Sequence, residues 1–244
     1  MLPLEFRSPW LNAAGSLGFA PDARGPVELG RLGAFVTNPI SARPRRAAAA
    51  PRLAQLDQGV WLHTGHPNPG FRRVMERYRA AWGRAVLPII PHLLADQPED
   101  LRRMVPQLEG QGNVHAIEIG IPPDAGPELV RALVAAAVGE RPIIARIGLD
   151  QVADIAAVAM EAGASAVSLG APRVANPEDQ AGRVYGRQVL EQALAVAQVL
   201  VVAGIPTIAA GGVFSAADGQ QLLDAGALAV QIDIALWRGE FEGW

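Results

Sequence analysis

Short apolar segments recur along this chain, most of them followed by a stretch of helical spacing, and nothing else in the sequence restricts its folding as much. Eight segments read as strands: Trp10–Ala13, Ala34–Thr37, Leu87–His92, His115–Gly120, Pro142–Ile147, Ala166–Leu169, Pro206–Ala209 and Leu228–Ile232. They are β-rich or continuously apolar, the pattern of strands buried on both faces. Asp96–Leu108 carries Leu101, Met104, Val105 and Leu108 at the spacing of one buried helix face. Pro127–Val138 and Gln151–Ala162 behave alike, and Gly163 suits the C-cap of the second. Val189–Val202 is almost wholly apolar and is expected to lie buried. Alternation of strand and helix argues for a parallel sheet with right-handed crossovers. Eight strands in 244 residues suit one α/β domain spanning the chain, closed as a (β/α)8 TIM barrel, which typically needs roughly 250 residues. An open doubly wound sheet is the alternative.

Two regions break the rhythm. Between the second and third strands come Arg43-Pro44-Arg45-Arg46, an Ala47–Ala50 run, and Val60 through Gly70, which reads as a loop on the active face followed by a helix, Phe71–Trp82. The stretch Ala171–Tyr185 is polar and turn-rich, a candidate mobile loop over the site. After the eighth strand little chain remains, so the closing helix is expected to be short or missing, with Trp237, Phe241 and Trp244 covering the gap or meeting a partner subunit.

Composition removes several chemistries. The chain has no Cys, which excludes disulfides, thiolate metal sites and cysteine nucleophiles. All 21 basic side chains are Arg, and without Lys there is no Schiff-base amine. A net charge of −3 with scattered Arg indicates neither nucleic acid nor an anionic membrane surface as partner. The start of the chain lacks a basic segment followed by an apolar run, and Glu191, Gln192 and Gln198 interrupt the longest apolar region. The expectation is a cytoplasmic protein with a small-molecule ligand.

The densest motif is Ala209-Ala210-Gly211-Gly212-Val213-Phe214-Ser215-Ala216-Ala217-Asp218. Ser215 and Asp218 have capping-box spacing, with Asp in place of the usual Glu or Gln. Gly211 and Gly212 allow backbone N–H groups to approach an anion, and the helix start behind them adds donors. A Gly-Gly turn after the penultimate strand is a common phosphate site in barrels. A tight strand-to-helix turn without a ligand is the other reading.

Several motifs then line up with one family. Ser8-Pro9-Trp10-Leu11-Asn12-Ala13-Ala14-Gly15-Ser16-Leu17-Gly18-Phe19 resembles the N-terminal segment of dihydroorotate dehydrogenases. Gly33–Thr37 looks like the family's next strand, and Gly65-His66-Pro67-Asn68-Pro69-Gly70 resembles its substrate loop. Gly211-Gly212-Val213, Asp218, Ala225-Gly226-Ala227 and Val230-Gln231-Ile232 match its C-terminal pattern in order and spacing. The resemblance covers nearly the whole chain. It implies a (β/α)8 barrel with FMN at the C-terminal mouth, oxidoreductase activity on a small cyclic or carboxylated substrate in pyrimidine biosynthesis, and a homodimer.

The same resemblance assigns site residues. Ala13, Ala14 and Gly15 would pass beneath the flavin, and Arg146 would stand for the lysine that ends the family's fifth strand. Gly186, Gly211, Gly212, Asp233 and Ile234 would surround the phosphate, while His66, Asn68 and Glu118 would touch substrate. Asn38 replaces a lysine that contacts flavin and substrate. Ile121-Pro122-Pro123 supplies neither the Cys nor the Ser of the family's base loop, so no catalytic base is assigned. Asp233-Ile234 replaces Gly-Thr or Gly-Ser. A carboxylate within about 4 Å of phosphate is repelled by ~4 kcal/mol per unit charge at an effective dielectric of 20, so Asp233 either turns away, capping the last helix or facing solvent, or the subsite holds no phosphate. A barrel that lost flavin chemistry and serves as a binding protein is therefore the alternative function. His63, His66, His92 and Glu118 are conceivable ligands of a hydrolytic metal, but ordinary polar roles are commoner and no metal is expected. A buried Glu118 needs a partner, and Arg146 on the adjacent strand is the expected one.

Overall fold

A computed structural model describes residues 2–25, 27–57, 59–175 and 180–243. In chain order the strands are β1 Trp10–Asn12, β2 Phe35–Val36, β3 Ile40–Ser41, β4 Leu53–Leu56, β5 Gly59–Leu62, β6 Ile89–Ile90, β7 His92–Leu94, β8 Ile117–Gly120, β9 Ile143–Gly148, β10 Ala166–Gly170, β11 Arg173–Ala175, β12 Ala181–Gly186, β13 Thr207–Ala210 and β14 Ala229–Ile232. The helices are α1 Phe71–Arg84, α2 Pro98–Glu109, α3 Pro127–Ala137, α4 Val152–Glu161, α5 Leu190–Val202, α6 Ala216–Asp224 and α7 Ile234–Arg238.

Parallel pairing runs β1-β14-β13-β10-β9-β8-β7-β3, and β2 pairs with β6. A parallel bridge between Leu11 and Ala34 joins β1 to β2, so the sheet curls into a (β/α)8 barrel. The third barrel strand is written as two pieces, β6 and β7, on either side of Pro91, which has no N–H to give to a ladder. Buried Asn12 reinforces the β1–β2 seam: its side-chain amide donates to Val36 O at 2.7 Å and accepts from Val36 N–H at 2.9 Å. The interior of the barrel's lower half is a small apolar set, Leu11, Ala34, Val36, Ile90, Ala116, Ile144, Ile208 and Ala229. Leu4 and Phe6 pack against it from the N-terminal segment. The larger core lies outside, between strands and helices, and includes Leu101, Met104, Val105 and Leu108 of α2. Each such side chain stabilises the fold by roughly 1.5–3 kcal/mol on full burial.

The expected helix positions hold to within a few residues. Ser215 and Asp218 form the capping box at α6, each accepting from the other's backbone N–H. The α5 segment departs from expectation. Ala193, Ala197 and Leu200 are buried on the barrel side, but Val199 and Val202 are 61% and 89% exposed. An apolar helix on a barrel still has an outward face. The closing helix α7 has five residues, and Phe241 meets the edge of Trp10 at 6.1 Å.

Both irregular regions form strands where loops were expected. The region before α1 holds β4 and β5, the region before α5 holds β11 and β12, and together they make an antiparallel sheet in the order β11-β12-β5-β4. Trp61 of β5 is buried and donates from Nε1 to Val174 O at 3.0 Å. Gly182 of β12 lies flat against it, since a Cβ there would fall 2.2 Å from the indole. Residues 176–179 of the expected mobile loop, and Trp244, lie outside the described residues.

Candidate functional site at the barrel mouth

Side chains two apart on a strand share a face. One step above the apolar layer of Ile90, Ala116, Ile144 and Ala229, the same strands therefore turn His92, Glu118, Arg146 and Gln231 into the lumen. Ser168 of β10 joins them. Glu118 is wholly buried and accepts three hydrogen bonds, each 2.7 Å: from Ser168 Oγ and Gln231 Nε2 at Oε2, and from His92 Nδ1 at Oε1. Arg146 donates from Nη1 to Gln231 Oε1 at 2.5 Å. The backbone N–H of His92 is held by Thr37 Oγ1 at 3.1 Å. Burial alone would push the Glu118 carboxyl up. The His92 bond, the charges of His92 and Arg146, and the Ser168 bond instead hold it at about 2. The expected Glu118–Arg146 pair is thus corrected: Arg146 reaches the carboxylate through Gln231, because three shorter donors already surround it.

Above this layer, under the antiparallel sheet, lies a cavity of about 500 Å³ lined among others by Gly15, His66, His92, Arg146, Arg183 and Asp233. Several of its cations are matched within the chain. Arg45 pairs with Asp96 at 2.7 Å and Arg173 with Asp124 at 2.9 Å. Arg146 and Arg183 differ: among the described residues neither has a carboxylate within ion-pair distance. Burial pulls the Arg183 guanidinium down from its usual value, with Arg146 and Arg173 adding to the effect. His66, at a positive φ of 52°, is lowered to about 4, first by removal from bulk solvent and then by His92, Arg183, Arg146 and Arg45. The mouth thus carries more cationic than anionic side chains on its wall, with Arg45, Arg146, Arg173 and Arg183 against Asp96 and Asp233.

The remaining candidates fall into three groups. Ala14, Gly15, His66, Arg146, Asp233 and Ile234 line the cavity. Glu118 and Ala13 lie buried beside or beneath it. Asn38, Asn68, Gly186, Gly211 and Gly212 are not on its wall. The Asn38 side chain accepts from Gly18 N–H at 3.1 Å, pinning the loop after β1. Asn68 is buried, donating to Ser41 Oγ at 2.9 Å and accepting from Gly70 N–H at 3.0 Å. Gly211 and Gly212 take φ of +115° and +72°, and a Cβ on Gly212 would lie 2.4 Å from Leu190 N. Among the described residues the N–H groups of Gly212 and Val213 have no acceptor, and both residues are buried. Buried donors of that kind are costly unless a ligand meets them. Asp233 turns onto its own helix, accepting from Ile234 N–H as N-cap of α7. Burial first, opposed by that bond and by Arg146, raises its carboxyl to about 6.

The residues whose place in this site the sequence did not disclose are Gln231, Ser168 and Arg183, and His92 in its pairing with Glu118. The first two were legible as polar residues in otherwise apolar strands, at lumen spacing. Arg183 was hidden because its segment read as loop. Among the described residues no group of three metal-ligating side chains converges, and no helix is long and apolar enough to cross a membrane.

A (β/α)8 barrel with a ligand-sized, charged cavity at the C-terminal ends of its strands is built like those whose working site is that face. The family described as dihydroorotate dehydrogenase matches residues 1–127. The catalytic subunit of dihydroorotate dehydrogenase B (NAD(+)) from Latilactobacillus sakei is 29% identical over 273 residues, covering 98% of this chain and 86% of its own. The same subunit from Maridesulfovibrio salexigens is 29% identical over 259 residues, covering 94% and 84%. The chain belongs to the dihydroorotate dehydrogenase family. Its fold matches the crystal structure of DHODH in complex with ferulenol from Eimeria tenella with a TM-score of 0.76 at 18% identity, over 96% of this chain and 78% of that one.

Proposed function

We propose that this protein is an FMN-dependent oxidoreductase of the dihydroorotate dehydrogenase type, acting on a small cyclic, carboxylated substrate at the barrel mouth. The observation that carries the reading is the pair of guanidinium groups, Arg146 and Arg183, that line the cavity without a carboxylate partner. Both are half-buried; a cation partly withdrawn from water without a counter-ion bears a desolvation cost, and an anionic ligand would relieve both. Arg183 suits a substrate carboxylate by its bidentate geometry. Arg146 suits the electron-rich edge of a flavin ring, which would lie over Ala14 and Gly15. The free N–H groups of Gly212 and Val213, with Gly186 and Gly211 beside them, suit the phosphate. The carboxylate of Asp233, engaged by the N–H of Ile234, keeps the last helix from adding donors there. When bound, FMN would supply a two-electron acceptor. The chain's own residues orient the substrate, exclude water under the antiparallel sheet and hold the charges in place.

The same reading expects a cytoplasmic homodimer in pyrimidine biosynthesis. Its test is the visible absorbance spectrum of purified protein, followed by titration with FMN read by flavin fluorescence. Bound flavin, bleached by dihydroorotate, supports the proposal. A colourless protein that leaves FMN fluorescence and its own melting temperature unchanged at saturation overturns it.

A further inference from the structure

We infer that His92 is the proton acceptor of this site, presenting Nε2 to the cavity with its tautomer and ring orientation fixed by a chain of hydrogen bonds from Arg146. The step rests on the oxidoreductase reading above; the side-chain geometry does not. Arg146 can only donate, so the atom of Gln231 that meets it is the carbonyl Oε1. The amide of Gln231 then turns its NH₂ to Glu118 Oε2, which also receives the Ser168 hydroxyl. Glu118, surrounded by donors and held ionised, accepts at Oε1 from His92 Nδ1–H. With its proton fixed on Nδ1, the neutral imidazole has its lone pair on Nε2. Histidine tautomers are set by such partners, and here each partner is itself set by the next.

A second observation shows where Nε2 points. A Cβ added to Gly120, on the neighbouring strand, would lie 3.0 Å from His92 Nε2. Gly120 and His92 both line the cavity, so the glycine leaves Nε2 uncovered on the ligand's side. Among the described residues, the titratable groups that interact with this imidazole are Glu118 from β8, at 2.7 Å, and His66 from the loop before α1, while Arg146 from β9 acts on Glu118. The other candidate bases are less suited: Asp233 caps a helix, His66 is held at about 4 by burial and neighbouring cations, and Asp96 is paired with Arg45.

In the step, a substrate carbon gives its proton to Nε2, forming an N–H bond. The electron pair of the broken C–H bond would become the new C=C π bond, with bound FMN supplying the acceptor for the hydride of the adjacent carbon. His92 ends as imidazolium, its charge met by Glu118, and returns the proton to solvent after product leaves. Glu118 and Gln231 are positioning residues.

Two measurements decide the proposal. In the first, ¹⁵N-histidine NMR of ligand-free protein, with His92 identified by its loss in His92→Gln, should show the neutral ring with Nδ1 protonated and Nε2 bare. The opposite tautomer overturns the proposal without reference to flavin. In the second, reduction of FMN-loaded protein by dihydroorotate is followed by stopped flow across pH. The wild-type rate should rise with pH as Nε2 loses its proton, and His92→Gln should be slower by about 10²–10⁴-fold with the rise abolished and FMN affinity retained. Gly120→Ala, whose Cβ would crowd Nε2 from the neighbouring strand, should slow the same step. A rate and pH profile unchanged in His92→Gln, or a profile abolished instead by Asp233→Asn, overturns the assignment. Failure to bind FMN, with the Nδ1–H tautomer present, would sink the oxidoreductase reading and the hydride transfer with it while upholding the orientation of His92.

Discussion

The lumen layer and the antiparallel sheet face each other across one cavity and are held by different means. Below, parallel strands fix polar groups by register: His92 lies opposite Glu118 on the paired strands β7 and β8, and Gly120 opposite Arg146 on β8 and β9. Position on a closed barrel decides what meets what. Above, β5 and β12 are joined through Trp61 and the glycine that lies against it, and the outer strand β4 has an exposed Leu53 and Leu56. The lower wall is specific because the Glu118 carboxylate gathers donors from three other strands. The upper wall is specific because one large side chain fills one space. The first arrangement suits chemistry that needs a fixed proton, and the second suits a cover that can adapt to different ligands.

The contrast predicts unequal responses to substitution. The largest effect should come from Glu118→Ala, which strips the acceptor from His92, Ser168 and Gln231 at once. Removing one member of a buried charged network costs about 3–5 kcal/mol, measurable by urea denaturation at neutral pH. Trp61→Ala should cost somewhat less, about 3 kcal/mol, and should weaken binding of a cavity ligand more than it disturbs the lumen network. Equal loss of the His92 NMR signature in both variants would show that the two walls are one cooperative unit.

Acid separates them as well. The Glu118 carboxyl has its folded value, about 2, below the ordinary 4.5. Its contribution, on the order of 3 kcal/mol, is therefore present above pH 4.5 and lost as pH falls through 2. Glu118→Gln should lack that acid-sensitive component. Asp233 behaves oppositely. Its folded value of about 6 lies above the ordinary 3.8, so stability falls as pH rises between them, and Asp233→Asn should stabilise the protein above pH 6 by on the order of 3 kcal/mol. A stability curve for Asp233→Asn parallel to wild type from pH 4 to 7 would show that this carboxyl is not burdened by burial. The smallest effect belongs to Ser215→Ala, about 1 kcal/mol from the lost cap at α6, with no change at the mouth.

What the sequence revealed follows from the same contrast. The barrel was legible because local rules set it: eight apolar runs, the helix face of α2, and the capping box of Ser215 with Asp218. The lumen network was half legible. Glu118 was recognisable as a buried carboxylate needing a partner, but Arg146 was the nearest charge in sequence logic, whereas geometry gave the place to His92, Ser168 and Gln231. Neutral partners leave no charge pattern to read. The antiparallel sheet was illegible because its pairing joins distant segments, and short polar strands such as Ala181–Gly186 carry no period that distinguishes them from a loop. Asn38 and Asn68 were assigned by resemblance to ligands; here their side chains hold Gly18 and Ser41.

The bond from Trp61 to Val174 closes a span of 113 residues, and β4 with β5 can meet β11 with β12 only after the intervening strands and helices have brought their ends together. Contacts at that separation come late, since the chain must lose most of its freedom before they reward it. Closure of the barrel spans further still, since Trp10 of β1 pairs with Val230 of β14, so the wall and the cover of the cavity both wait on distant segments, and chain entropy alone puts neither ahead of the other.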